Sequence, residues 1–235
     1  NRLDHLSFEL KEGEILGIYG LMGAGRTELM ESVFGLHPAS MSAEITVKGK
    51  KYIIRQPADA IKAGIALVPE DRKLQGLVLN QSVNKNIGIT ILQLLERWGL
   101  VLDHRKEEAL STGYINSLRI KTPSAQAAVQ NLSGGNQQKI VIAKWLATKP
   151  AVLLLDEPTR GIDINAKSEI YDLMRSLAAE GMGIIMVSSE MPEILALADR
   201  ILVMNDGRIT ANLPAATATE QDILSYAIQK TELHT

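Results

Sequence analysis

The stretch YGLMGAGRTEL, residues 19–29, lies between an apolar run and an amphipathic one. Before it, EILGIYG (14–20) reads as a strand. After it, Leu29, Met30, Val33 and Phe34 share one side of a helix expected from about Arg26 to Phe34, which Gly35 ends. Between the two, Gly20, Leu21, Met22, Gly23, Ala24, Gly25, Arg26 and Thr27 fit GxxxxG[KR][ST] in the strand–loop–helix context that gives this pattern its weight. Glycines let the backbone wrap with its N–H groups turned inward, and the helix start adds positive potential, so the loop reads as a phosphate cradle. The Thr27 hydroxyl is placed to bind Mg2+. Arg26 stands where such a loop normally carries a lysine, and an ordinary glycine-rich turn is the competing reading.

Working outward, strand and helix signals alternate at both ends of the chain. EITVKGKKYII (44–54) reads as a hairpin, GIALVPE (64–70) as a strand, and AVLLLDE (151–157) as a strand buried on both faces. A helix with Ile170, Leu173, Met174 and Leu177 at 3–4 spacing follows. Then come the strand GIIMVSS, a short helix around Pro192 to Ala198, the strand RILVMND, a turn, a last strand, and a helix behind a Thr219–Asp222 capping pair. Residues 77–145 differ: ILQLLERWG, DHRKEEALSTGYINSLRI and NQQKIVIAKWLA are helical in period, with no convincing strand between them. The expectation is an α/β fold: a P-loop core with a mainly parallel sheet, an N-terminal antiparallel β portion and an α-helical subdomain inserted at about 77–145.

Composition sets limits. The 235 residues suit one large domain or a core with an insertion. Twenty-five basic against 27 acidic residues offer no broad basic surface that argues for nucleic acid. The chain has no cysteine, hence no disulfide frame or thiolate metal site. Apolar runs such as AVLLL fall far short of the roughly 20 residues that span a bilayer. The start NRLDHLSFEL has neither methionine nor a signal segment, and we expect a piece of a longer polypeptide.

Two further stretches carry chemistry. VLLLDEP (152–158) ends a buried strand on two carboxylates: Asp156 to hold Mg2+, Glu157 to polarise an attacking water. As plain surface acids they would mean nothing; with the glycine loop they complete a nucleotide site. LSGGNQQK (132–139) exposes the N–H groups of Ser133, Gly134 and Gly135 ahead of an amphipathic helix expected at Ile140 to Leu146. A simple helix cap would also read this way. Yet one nucleotide does not need two anion cradles, whereas a dimer in which each chain covers the other's nucleotide does.

These motifs resemble the nucleotide-binding domain of ABC transporters over essentially the whole chain. LSGGNQQK matches the signature motif, VLLLDEP the Walker B segment and RGID (160–163) the D-loop. GAGRTEL, VPEDRK, DEPTRGID and VSSEMPEI narrow the resemblance to the second half of the tandem ATPase subunits of bacterial monosaccharide importers, of the ribose, galactose, xylose or arabinose type. The resemblance implies ATP and Mg2+ as ligands, and one ABC-type domain over residues 1–235. Nucleotide contacts would run from Gly20 to Thr27, with Ser133, Gly134, Gly135, Asn136, Gln137 and Asp163 facing a partner's nucleotide. Thr27, Asp156 and Glu70 are the implied metal-side residues, and Glu157, Arg26, Glu70 and Ser189 the catalytic ones. Implied partners are an N-terminal ABC domain of the same polypeptide or a second copy, transmembrane permease subunits docking near Glu70 to Lys85, and indirectly a sugar-binding protein, with no nucleic acid. The implied location is the cytoplasmic face of the bacterial inner membrane, as a peripheral subunit.

Three positions depart from the general pattern. Arg26 replaces the Walker lysine, Glu70 stands at the usual Q-loop glutamine, and Ser189 at the usual switch histidine. A guanidinium is larger than an ammonium, a carboxylate brings charge where an amide is expected, and serine lacks a long protonatable ring. The signature segment is intact. We therefore expect an asymmetric half, whose own Walker site binds nucleotide but turns it over slowly while its signature completes an efficient partner site. The plainer alternative is that the three positions retune one ordinary site. Competing function classes are an ABC ATPase without a membrane partner, acting in translation or on DNA, a small-molecule kinase on a P-loop core, and a nucleotide-binding regulatory module without turnover. The adenine-stacking aromatic of the family is expected ahead of Asn1, with Phe8 too close to the loop to take that role.

Overall fold

The computed structural model describes residues 3–37, 43–97 and 101–228. In chain order its elements are β1 (Ile15–Gly20), α1 (Arg26–Phe34), β2 (Ala43–Val47), β3 (Lys50–Ile54), α2 (Pro57–Lys62), β4 (Ile65–Val68), α3 (Val83–Gly88), α4 (Leu92–Leu95), β5 (Glu96–Arg97), β6 (Val101–Leu102), α5 (His104–Ser117), α6 (Gly134–Leu146), β7 (Val152–Asp156), α7 (Ile164–Ala179), β8 (Gly183–Val187), α8 (Met191–Leu197), β9 (Arg200–Asn205), β10 (Arg208–Pro214) and α9 (Glu220–Ile228). They divide into two units: residues up to Leu67 with Ala151–Glu157 and Arg175 onward, and Val68–Pro150 with Pro158–Met174.

The first unit is built on a sheet of order β10-β9-β1-β8-β7-β4. β1 pairs in parallel with β8 and β9, and β7 with β8, while β10 returns antiparallel along β9. Every residue of β1, β4 and β8 is buried, as the continuous apolar runs require of strands covered on both faces. This is the α/β architecture with a mainly parallel sheet, and the β2–β3 hairpin supplies the separate antiparallel portion. Gly20, the last residue of β1, has no room for a side chain: a Cβ there would come within 2.6 Å of the Met204 carbonyl oxygen and 2.8 Å of the Ala24 Cβ. The chain therefore passes straight from strand into loop, directly over the end of β9. Among the described residues no helix is long and apolar enough to cross a membrane.

The second unit is mostly helical, with α5 and α6 its longest helices besides the start of α7. The helical period of ILQLLERWG does not hold throughout. After a 3-10 turn at Ile89–Ile91, α4 lasts four residues, and Glu96–Arg97 leaves it extended to pair antiparallel with Val101–Leu102. The Asp103 N–H donates to the Leu95 carbonyl at 2.8 Å, and the Asp103 carboxylate caps α5 by accepting from the N–H groups of Arg105 and Lys106. Cap and ladder together outweigh one more helical turn, a choice that periodicity in a short apolar run does not make. The expected helix across Trp98 and Gly99 falls outside the described residues.

Lys144 is buried in α6, and its ammonium donates to the Gly76 carbonyl at 2.5 Å. Burial lowers its pKa from 10.5 to about 8. Between those values the unfolded chain keeps the proton that the folded chain has lost, so stability rises with pH across that window. Replacing Lys144 by methionine should flatten this rise by up to about 3 kcal/mol, read from urea unfolding of both proteins at a series of pH values.

Candidate functional site

The glycine loop starts where β1 ends. The Ala24 N–H donates to the Leu21 carbonyl at 3.0 Å, and the Ala24 carbonyl accepts from the Gly207 N–H at 3.0 Å, so the loop is anchored to the β9–β10 turn. Gly25, at φ +93°, turns the chain into α1, and no side chain caps that helix. The N–H groups of its first turn and their positive potential are thus available to an anion. Met22 is 99% exposed and Leu21 43%, so these two residues can offer the loop's interior only their backbone.

At the end of β7 the Asp156 carboxylate is buried, and its Oδ1 has no hydrogen-bond partner. Burial pushes its pKa up to about 6, against a hydrogen bond from Thr27 that pulls the other way, while the neighbouring Glu157 raises it further. A carboxylate held dry, short of one partner and beside a hydroxyl is costly unless a cation meets it. Among the described residues no three acidic or histidine side chains gather into a metal cluster. One buried carboxylate beside a hydroxyl is enough for Mg2+, which keeps several waters and takes one or two protein ligands plus phosphate oxygens. The donor set therefore fits such a metal, and Thr27 and Asp156 are the residues that would hold it.

Glu157 occupies the left-handed region, φ +46°, which a non-glycine residue adopts only when its surroundings hold it there. Its N–H donates to the Val187 carbonyl at 3.0 Å. The side chain meets two of the three departing positions. The Ser189 hydroxyl donates to Glu157 Oε2 at 3.1 Å, and Arg26 Nη1 lies 3.6 Å from Glu157 Oε1. The same Arg26 nitrogen donates to the Ser188 carbonyl at 3.0 Å. Arg26 and Glu157 are only 14% and 12% exposed, so this pair is poorly screened by water. Arg26, Thr27, Asp156, Glu157 and Ser189 therefore form one cluster in the first unit, with Arg26 turned toward the carboxylate.

Sequence reading passed over what holds Ser189 in place. Ser188 is fully buried; its hydroxyl donates to Glu193 Oε2 at 2.8 Å and accepts from the Glu190 N–H at 3.0 Å. The pattern SSEMPE carries the polar residues, but only folding shows that Ser188 and Glu193 meet.

A groove of about 1840 Å3 runs along the outer face of the loop, lined by Phe8, Leu10, Ile45, Val47, Leu21 and Met22 among others. Neither Thr27 nor Asp156 lines it, so it is distinct from the carboxylate cluster.

The remaining predicted residues belong to the second unit. α6 starts at Gly134 with Ser133 at its N-cap, earlier than the expected Ile140, so the two glycines are the helix's first residues rather than a loop before it. The reason is clearance. Neither glycine has positive φ; instead a Cβ on Gly135 would approach the Ala166 Cβ to 2.5 Å, and one on Gly134 would approach Arg72 Nη2 to 2.8 Å. Ser133 is exposed, and its hydroxyl accepts from Asn136 Nδ2 at 2.9 Å. Asn136 Oδ1 accepts from the Lys121 N–H at 2.7 Å. Gln137 points inward, its amide donating to the Val129 carbonyl at 3.2 Å, so the exposed edge consists of Ser133 and its neighbours. Asp163 caps α7, accepting from the Ala166 N–H at 3.0 Å. Glu70 is engaged by the Arg160 guanidinium in an ion pair.

The comparisons agree with this geometry. The family model described as "ABC transporter" matches residues 3–160. A ribose import ATP-binding protein of Rhodopirellula baltica is 53% identical over 219 residues, which cover 93% of this chain and 43% of that protein. A xylose import ATP-binding protein of Moorella thermoacetica is 50% identical over 94% of this chain and 44% of its own length. The chain thus spans less than half the length of these curated relatives. Among solved structures, a nucleotide-free ATP-binding cassette from an ABC transporter superposes with a TM-score of 0.78, at 20% identity, covering 95% of this chain and 88% of that one. A phosphate-loop geometry ending β1, a paired carboxylate ending β7 and a family match across both leave one assignment: the chain belongs to the ABC transporter family.

Proposed function

We propose that this chain is one ABC-type ATP-binding domain of a sugar importer, with the helical subdomain of about 77–145 inserted in its α/β core. The observation that carries the reading is Asp156: a buried carboxylate with an unpartnered oxygen, beside Thr27 at the mouth of an uncapped helix. The names of the ribose and xylose import relatives supply the substrate class. Thr27 and Asp156 would hold Mg2+, which when bound would supply positive charge against the phosphates.

The chain's own residues divide the remaining work. The backbone from Gly20 to Thr27 wraps the phosphates, Thr27 and Asp156 hold the metal side, and Glu157 takes the proton of an attacking water. Ser189 orients Glu157 by donating to it. Arg26 supports the asymmetric reading: it would have to leave Glu157 and the Ser188 carbonyl to reach a phosphate, and while it stays it faces the carboxylate that would receive the proton. Glu70 would likewise have to leave Arg160 to meet the metal. In this reading the domain's own site turns over slowly, and its Ser133 edge completes the site of an N-terminal ABC domain or a second copy.

Permease subunits are the proposed membrane partners, docking near Glu70 to Lys85, where Leu74 and Val78 are exposed. The domain would act peripherally at the cytoplasmic face of the bacterial inner membrane. A regulatory module without turnover is the second reading, and the Arg26–Glu157 pair is what favours it.

The test is Mg-ATP turnover by this domain over a wide range of protein concentration, with nucleotide binding measured in parallel. The expected result is bound nucleotide with negligible turnover. Turnover per molecule that climbs with protein concentration would mean two copies form competent sites, and the asymmetric reading would fail.

A further inference from the structure

Two residues after Glu70, the motif VPEDRK carries Arg72. Arg72 opens a five-residue π-helical turn, Arg72–Gly76, that the Asp71 carboxylate caps by accepting from the N–H groups of Lys73 and Leu74 at 2.9 and 3.0 Å. From there its guanidinium makes a fork onto two consecutive carbonyls, Arg160 at 2.7 Å and Gly161 at 3.1 Å. The far end of the turn rests on α6. Lys144 donates to the Gly76 carbonyl, and a Cβ on Gly76 would stand 3.0 Å from a Val141 methyl.

Two glycines mark how closely the parts fit. A side chain on Gly134 would meet both Arg72 Nη2, at 2.8 Å, and the Gly161 carbonyl oxygen, at 3.2 Å. Gly161 itself has φ +66°, and its Cβ position lies 3.8 and 3.9 Å from the two Arg72 terminal nitrogens. Arg72 is therefore wedged between the start of α6 and the loop 160–163. Glu70, two residues earlier, holds the side chain of the same Arg160 whose carbonyl Arg72 takes. The ion pair is largely exposed and contributes little alone, so the fork carries the connection. Arg72 Nε is buried without a hydrogen-bond partner, and burial lowers the group's pKa. Such a placement costs stability, and a lysine with one compact charge cannot span two carbonyls.

We propose that Arg72 is a positioning residue that locks loop 160–163 to the first turn of α6, so that both edges offered to a partner's nucleotide keep one spacing. The inference rests on the reading that the Ser133 edge serves a partner site. Arg72 touches no nucleotide in this scheme; it acts through Gly134, Arg160 and Gly161. Displacing either edge misplaces groups that must meet the same phosphates, which lowers the rate of the chemical step more than the affinity for nucleotide.

The experiment uses the natural full-length protein, comparing Arg72→Lys, Arg72→Met and Ser133→Arg with the parent. Steady-state ATP turnover gives kcat and KM, and amide hydrogen exchange reports on residues 133–137 and 160–164. Arg72→Lys should lower kcat about tenfold or more with KM nearly unchanged, and speed exchange in both segments together. Arg72→Met keeps the bulk, drops the buried charge and makes no fork, so it should show the same loss of kcat and faster exchange, which keeps the proposal testable if Arg72→Lys unfolds. Parent-like kcat and exchange in Arg72→Lys, with Ser133→Arg inactive, would overturn this inference and leave the composite-site reading standing. If Arg72→Lys unfolds, parent-like kcat and exchange in Arg72→Met would overturn the inference. An active Ser133→Arg would overturn both.

Discussion

Ser133→Arg in the full-length polypeptide is expected to cut ATP turnover by about 10²-fold or more while moving stability by no more than about 0.5 kcal/mol. Ser133 is an exposed N-cap whose hydroxyl accepts from Asn136, within an edge otherwise free of bulk. An arginine there has room in solvent, so the fold should tolerate it. What it disturbs is the first turn of α6, where the N–H groups of a helix start can meet an incoming phosphate. The matching change on the other side is Glu157→Gln. If this chain's own site is the slow one, that substitution should alter total turnover by no more than about twofold, even though it removes the base. Phosphate release and thermal unfolding on the two variants settle the comparison. Equal, large losses would mean that both sites turn over comparably, and the asymmetry would be wrong.

Asp156→Asn should make the nucleotide-free domain more stable at neutral pH and at the same time abolish its response to Mg2+. The sign follows from burial. The Asp156 carboxyl titrates at about 6 in the folded chain against 3.8 ordinarily. Below the lower value both states are protonated and no penalty exists. As pH rises between the two, the unfolded chain loses its proton first, and stability falls with pH through that window. At pH 7 the folded state therefore carries an ionised, partly unpartnered carboxylate at a cost of up to about 3 kcal/mol. Asparagine has no charge to bury and removes most of that cost. Mg-ATP should add stability to the parent by mass action and add much less to the variant. Thermal unfolding with and without Mg-ATP, at pH 5 and pH 7, reads both effects. A variant less stable than the parent at pH 7 would show that Asp156 is a structural acid rather than one held for a cation.

How much of this was legible beforehand differs from element to element. The runs ILGIYG and GIIMV read as strands, and β1 and β8 form there with every residue buried. Gly35 ends α1 at φ +83°, as the position of a glycine after Phe34 implied. The pairing of Thr219 with Asp222 is local, three residues apart, and it forms as read. In ILQLLERWG the helical period holds over Leu92–Leu95 and gives way at Glu96–Arg97, because an apolar run of that length serves a helix or a strand equally well and the Asp103 cap favours the ladder. The start of α6 was misplaced for another reason. Glycine in sequence signals a loop, whereas Gly134 and Gly135 are helical and small because Arg72 and Ala166 press against them.

The sequence by itself determined the family, a mainly parallel sheet, and the place of the glycine loop between β1 and α1, because those follow from periodicity and from motifs whose parts are neighbours in the chain. Which partner each departing side chain takes was decided only by tertiary structure. Arg26 meets the Ser188 carbonyl across 162 positions, Ser189 meets Glu157 across 32, and Arg72 meets Arg160 across 88. Charge and hydrogen-bonding capacity are written in each residue, but they act over a few ångströms, and only the folded sheet and helices bring such distant positions within that range.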